Sequence, residues 1–370
     1  MNRDSKLYIE EACSHIGPIN KAWLVAARAR QLSLTKPPGS LGQLEDIGNR
    51  IAAISETTTP PAMRKRIYVV AGDHGITSEG VSAYPREVTY QMVLNFLRGG
   101  AAINVIARHG QIEVRVVDAG VDYDFPIQDG LLDRKVVRGT SNFTRGPALT
   151  REQAERSIAI GIDLAHAAKA ENVGLLGIGE MGIGNTTAAS AITAVLTGCP
   201  PDEVTGPGTG ISDEALARKV AVISHAIELN RPDRGDPTDV LAKVGGAEIG
   251  VMMGLAIGAA AERLPIVADG FISTAAAALA AAHCSHVRDY LFIAHRSQEP
   301  GHAALVKYVG IRPLLDLELR LGEGTGAALA MHLIDAAAKL LSEMVTFDEA
   351  GVSKIEGRTV GDAGMISKSV

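Results

Sequence analysis

VGLLGIGEMGIGNTT (residues 173–187) holds a strand, a turn and the start of a helix in one segment. Val173–Ile178 is an apolar run that stops at Gly179-Glu180, and Asn185-Thr186-Thr187 then offers polar side chains where a helix would open. The same grammar recurs along the chain. Ile67–Ala71 runs into Gly72-Asp73-His74-Gly75, and Ile112–Val117 into Asp118-Ala119-Gly120. Pro265–Ala268 runs into Asp269-Gly270, and Tyr290–Ala294 into His295. Runs that are apolar throughout, rather than alternating, fit parallel strands with both faces covered by helices. The segments between them carry helix signals. Thr150-Arg151-Glu152-Gln153 is a capping box for a helix to about Lys169, on which Asp163 and His166 are expected to face solvent. Ser212 can cap a helix that contains Lys219, and Ile249–Ala261 fits a buried helix. Alternating strands and helices predict an α/β fold with a mainly parallel sheet. In such sheets ligands bind at the carboxyl ends of the strands, where these glycines and acidic residues collect.

Composition narrows the function classes. Of 370 residues 46% are hydrophobic but only 4% aromatic, so the core must be built from Ala, Val, Ile and Leu. A charged fraction of 21% is that of an ordered globular chain. The net charge of −6 argues against nucleic acid as a partner. Cys13, Cys199 and Cys284 lie far apart without a metal-ligand spacing and are expected to be reduced thiols, with no metal site. The N-terminal stretch lacks an apolar signal core, and nothing asks for a membrane, so a cytoplasmic protein is expected.

Three glycine-rich turns could carry chemistry. Gly177–Gly184 formally contains GxGxxG, so an NAD-dependent oxidoreductase is the rival reading. Against it, Glu180 would sit inside the loop that meets a pyrophosphate, and the Asn-Thr-Thr that follows better suits a single phosphate. Thr205–Ser212, with Lys219 in the next helix, is either an anion-binding nest or a flexible connection with a solvated lysine; the sequence leaves both open. Arg320-Leu-Gly-Glu-Gly-Thr-Gly326 places Glu323 between two glycines, where little crowds a carboxylate aimed at a ligand. The alternative is a Glu that only complements a helix dipole. His74 and His295 end predicted strands and read as hydrogen-bonded structural residues rather than catalysts.

Taken together, six segments resemble one family, the nicotinate-nucleotide:dimethylbenzimidazole phosphoribosyltransferases (CobT). They are KPPGSLGQLE (Lys36–Glu45), AGDHGITSEGVSAYP (Ala71–Pro85), GIGEMGIGNTT (Gly177–Thr187), LAKVGGAEI (Leu241–Ile249), DGFIST (Asp269–Thr274) and RLGEGTGAALAM (Arg320–Met331). The resemblance implies a Rossmann-like sheet domain over about 61–329. It also implies a smaller helical subdomain from about 1–60 and 330–350, with a tail at 351–370. It implies a homodimer that needs no metal or organic cofactor. The substrates would be nicotinate mononucleotide and a benzimidazole-type base, and the products α-ribazole 5′-phosphate and nicotinate. Glu323 takes the place of the family's general base and Glu180 that of a second active-site acid. Phosphate binding falls to Gly182, Gly184, Asn185 and Thr186, to Gly208, Thr209 and Gly210, and to Lys219. The base pocket falls to Tyr84, Gln91, Met92 and Leu321. Here the chain departs from the family pattern: Tyr84 and Met92 stand where Ser and Gln are usual, with Gln91 one position earlier. A non-catalytic nucleotide-binding paralogue is the remaining alternative, and the presence of both Glu323 and Glu180 weighs against it.

Overall fold

The apolar runs fold as strands because each is buried on both faces. In the computed structural model, which describes residues 4–208 and 210–353, these strands are β1 (Lys65–Gly72), β2 (Glu113–Gly120), β3 (Leu131–Asp133), β4 (Leu175–Met181), β5 (Ile266–Ala268) and β6 (Leu291–Ile293). They form a sheet in the order β3-β2-β1-β4-β5-β6, and every neighbouring pair is parallel. From β1 the chain builds outward on one side through β2 and β3, then returns to the other side of β1 with β4. The strand order reverses between β1 and β4, and that is where a doubly wound sheet opens a crevice at its carboxyl edge. Five strands fall on the runs read from sequence. The three-residue β3 was not foreseen; it is short and partly exposed, so it leaves no apolar run.

Helices cover the sheet with unusually little side chain between them. The helix Arg151–Ala170 begins on the expected capping box, with Thr150 accepting from the Gln153 amide. It packs on the buried helix Ala247–Ala261. A Cβ added at Gly254 would collide with the Ile158 carbonyl oxygen, so the two backbones touch there. Asp163 and His166 do not simply face water: the Tyr8 hydroxyl donates to Asp163 Oδ1 at 2.6 Å and lies 3.3 Å from His166 Nδ1. Those polar contacts receive the N-terminal helix Ser5–Ser14. Among the described residues, no helix is long and apolar enough to cross a membrane.

The chain divides into two compact units. The first takes the residues up to Gly17 together with Arg64–Met331. The N-terminal helix thus groups with the sheet, where the sequence reading had placed it in the helical subdomain; its contacts with Asp163 and His166 are the cause. The second unit takes Pro18–Met63 and the residues from His332 onward. Within it the helices Lys21–Ser33 and Gln43–Ser55 flank the turn 36–42. Buried Lys36 holds that turn through Glu45 Oε1 at 2.7 Å, and the same oxygen accepts the Leu41 amide. The expected loose tail falls, beyond Ser353, outside the described residues.

Candidate active site

A cavity of about 580 Å³ opens beyond the carboxyl ends of β4, β5 and β6. Each strand delivers its polar end into it: Glu180 to Ile183, then Asn185 and Thr186, from β4; Gly270 to Ser273 after β5; and His295, Ser297 and Glu299 after β6. The segment Arg320–Glu323 and the side chains of Tyr84, Val88 and Met92 complete the lining.

Glu323 lies on a backbone only glycine normally adopts. Gly322, Glu323 and Gly324 all have positive φ, at 85°, 64° and 90°. For a Glu this conformation costs on the order of 1 kcal/mol or more, and such outliers collect where geometry serves function. The carboxylate is 6% exposed, and its Oε2 has no hydrogen-bond partner among the described residues. Burial pushes its pKa up, opposed by a hydrogen bond from the Ile103 amide, while Asp269 adds a smaller upward push. Glu180 is buried beside it. Asn185 Nδ2 donates to Glu180 Oε2, and a Cβ on Gly322 would collide with Glu180 Oε1. Burial, with Asp269, Glu248 and Glu323 nearby, pushes Glu180 up to about 8, against the pull of Asn185. The shift favours the protonated form, which can donate a hydrogen bond.

A buried cation stands behind the Thr186 part of the lining. Lys219 is fully buried, so a solvated role is excluded. Its Nζ donates to Thr186 Oγ1 at 2.9 Å and to the Gly206 carbonyl at 3.1 Å. Burial pulls its pKa down to about 8, with Glu299 opposing. Thr186 lies in the first turn of the helix Asn185–Thr197; the Asn185 and Thr187 amides are bonded to the Gly182 and Gly184 carbonyls, so the turn offers an anion the positive end of the helix and the Thr186 side chain. Gly208 lines the cavity, and its amide donates to Glu299.

The structure therefore brings together Glu323, Glu180, Gly182, Asn185, Thr186, Gly208, Tyr84, Met92 and Leu321 at one cavity. Gly184, Gly210 and Lys219 do not line it: Gly184 makes the turn into its helix at φ 94°, and Lys219 stands behind Thr186. Gln91 is exposed and points away from the lining, because Met92 takes the inward place on the helix Val88–Leu97. Thr209 lies outside the described residues. The two strand-end histidines part company. His74 is sealed in the core with Glu248, Nε2 to Oε1 at 2.6 Å, whereas His295 lines the cavity. Ser297, Glu299 and Phe271 were not singled out from sequence. Phe271 lies within the DGFIST segment that carries the resemblance, whereas Ser297 and Glu299 follow a strand end outside any of the six segments, and that position was their only signal. Among the described residues, no three His, Cys, Asp or Glu side chains are placed to hold a metal ion.

Strand order, the cavity at the strand ends and the two buried carboxylates that line it define an α/β enzyme acting on a small ligand. A phosphoribosyltransferase family model matches residues 16–352, and the chain belongs to that family. Among its relatives, the nicotinate-nucleotide–dimethylbenzimidazole phosphoribosyltransferase of Geobacter sulfurreducens is 57% identical over 94% of this chain and 98% of its own length. The Chloroflexus aggregans enzyme of the same name is 54% identical over 94% and 98%. The crystal structure of CobT from Thermus thermophilus matches with a TM-score of 0.87 at 50% identity, covering 90% of this chain and 100% of that one. The oxidoreductase reading of the GxGxxG turn is thereby replaced. Here the turn carries the buried Glu180 side chain into the cavity.

Proposed function

We propose that this enzyme transfers the 5-phosphoribosyl group of nicotinate mononucleotide to dimethylbenzimidazole or a related base. The products are α-ribazole 5′-phosphate and nicotinate, for the nucleotide loop of cobalamin. The observation that carries the proposal is Glu323, a cavity-lining carboxylate with one unpartnered oxygen. In nicotinate mononucleotide the pyridinium nitrogen leaves as a neutral ring nitrogen, so departure needs no acid. The incoming azole gains positive charge as its free nitrogen bonds to C1′. Glu323 holds that charge and accepts the proton from the opposite N–H. Attack from the face opposite the leaving group inverts C1′, which turns a β substrate into an α product. The Thr186 side chain and the positive end of its helix, backed by Lys219 and with Gly208 beside them in the lining, hold the 5′-phosphate and fix the sugar for in-line attack. A cytoplasmic homodimer belongs to the same proposal; Tyr84 and Leu321, 55% and 58% exposed at the cavity rim, favour a second copy there. Mass-spectrometric assay of the purified protein with nicotinate mononucleotide and a panel of bases tests the reaction. Absence of any α-ribotide product would refute it.

Base choice follows from the rim. Tyr84 and Met92 line the cavity with a ring and a thioether. Such a wall selects by shape and stacking more than by hydrogen bonds. Dimethylbenzimidazole is expected to be accepted, with benzimidazole, its methylated relatives and phenolic rings within about two orders of magnitude in kcat/KM, since apolar pockets separate near-isosteres weakly. Adenine, whose polar edges need partners, is expected to be poorer. A competition assay that favours adenine over dimethylbenzimidazole would overturn this role for Tyr84 and Met92 while leaving the transfer reaction in place.

Acidity provides another check. The proton acceptor must be ionised, and burial raises the pKa of Glu323 above the ordinary carboxylate value. Activity is therefore fully present above that raised pKa and is lost as pH falls through it. The acid limb of the kcat/KM profile is expected above the ordinary glutamate value of 4.5. A limb at or below that value would mean that Glu323 is not the titrating base.

A further inference from the structure

The strained Glu323 loop needs an external hold, and β5 provides it. Asp269, the residue after β5, is fully buried. Its Oδ2 accepts the Gly324 amide at 3.1 Å, and its Oδ1 accepts the Ala327 amide at 2.8 Å. Ala327 belongs to the first turn of the helix Thr325–Glu343, whose opening N–H groups have no partner within the helix. Asp269 thus caps that helix from another strand, and with its other oxygen holds the residue directly after Glu323. Thr325 closes the loop from within, its hydroxyl donating to the Gly322 carbonyl at 2.9 Å. The fit is tight. A Cβ on Gly326 would lie 2.8 Å from Asp269 Oδ1 and would collide with His295 Cδ2, and the His295 ring stands 3.9 Å from Asp269 Oδ1 through Nε2.

We infer that Asp269 is a positioning residue for the transfer reaction, clamping Gly324 and Ala327 so that the Glu323 carboxylate is held toward the cavity. The inference rests on Glu323 being the proton acceptor. Both Asp269 oxygens are committed to backbone N–H donors, so an Asn there must present an NH₂ to one of them. Only the carboxylate satisfies both. The loop then loses one anchor, while Thr186, Gly208 and Lys219 keep their contacts.

Steady-state kinetics of Asp269→Asn, alone and combined with Glu323→Gln, test it. Asp269→Asn is expected to lower kcat roughly a hundredfold, the cost of misplacing a reacting group by about an ångström. KM for nicotinate mononucleotide should stay within about threefold. In the Glu323→Gln background the same change should cost less than about threefold, because no carboxylate remains to be aimed. Asp269→Ser, which brings no opposing amide, is measured alongside and should show the same pattern. An equal loss in both backgrounds, retention of kcat in Asp269→Asn, or failure of both variants to fold would each overturn the positioning role. A fully active Glu323→Gln enzyme would instead remove the role given to Glu323. A slow one that Asp269→Asn slows equally further would remove only the role given to Asp269.

Discussion

Glu323→Gln is expected to lower turnover by roughly two to four orders of magnitude, the usual worth of a positioned acid–base group. Gln keeps the length of the side chain and an oxygen for the Ile103 amide, so the loop and the fold should survive. What it lacks is the ionisable carboxylate, whose Oε2 has no partner among the described residues. Affinity for nicotinate mononucleotide should be nearly unchanged, because the proposed phosphate site lies on other elements, at Thr186 and Gly208. Single-turnover kinetics beside equilibrium binding separate the two effects. Turnover above about a third of the parent value at saturating substrate would show that no general base acts at this position.

Lys219→Met should act on the other half of the reaction. The ammonium is buried behind Thr186, and it fixes Thr186 and the Gly206 carbonyl together on the proposed phosphate side of the cavity. Removing it deletes a charge-assisted interaction of roughly 1.5–3 kcal/mol, so KM for nicotinate mononucleotide should rise about ten- to a hundredfold. KM for the base should hardly move, because Tyr84, Met92 and Leu321 lie on other elements. Burial lowers the lysine pKa to about 8, so its charge is present below that pH and lost above it. In the parent enzyme the nucleotide KM should therefore climb as pH passes about 8, and climb less in Lys219→Met. A defect confined to the base would place Lys219 outside the phosphate site.

The two variants probe residues of different legibility. Glu323 stood out because three glycines around one carboxylate are costly without a purpose. Lys219 was ambiguous, since a lysine early in an amphipathic helix is usually solvated. Only its full burial against Thr186 shows that it stands behind the cavity lining rather than in solvent. Asp269 was visible as the end of an apolar run, but its partners lie 55 and 58 residues away. No local pattern records so distant a pairing. Gln91 and Met92 show a different limit. One step along a helix turns a side chain by about 100°, so adjacent residues face different surroundings. Which of the two reaches the cavity depends on how the helix Val88–Leu97 is rolled against the sheet.

The parallel α/β class, five of the six strands, the capped helices and the glycine-framed carboxylates could all be read along the chain. Each is written in short-range chemistry: apolar runs, capping side chains, and residues that tolerate positive φ. Packing was needed for the strand order, which puts the switch between β1 and β4, and for the meeting of the β4, β5 and β6 ends at one cavity. Packing also separated His74, sealed with Glu248, from His295 at the cavity wall. The same packing raised Glu180 and lowered Lys219 to about 8. These properties arise from burial and from charges brought together across long stretches of chain, and desolvation exists only once the surrounding elements have packed.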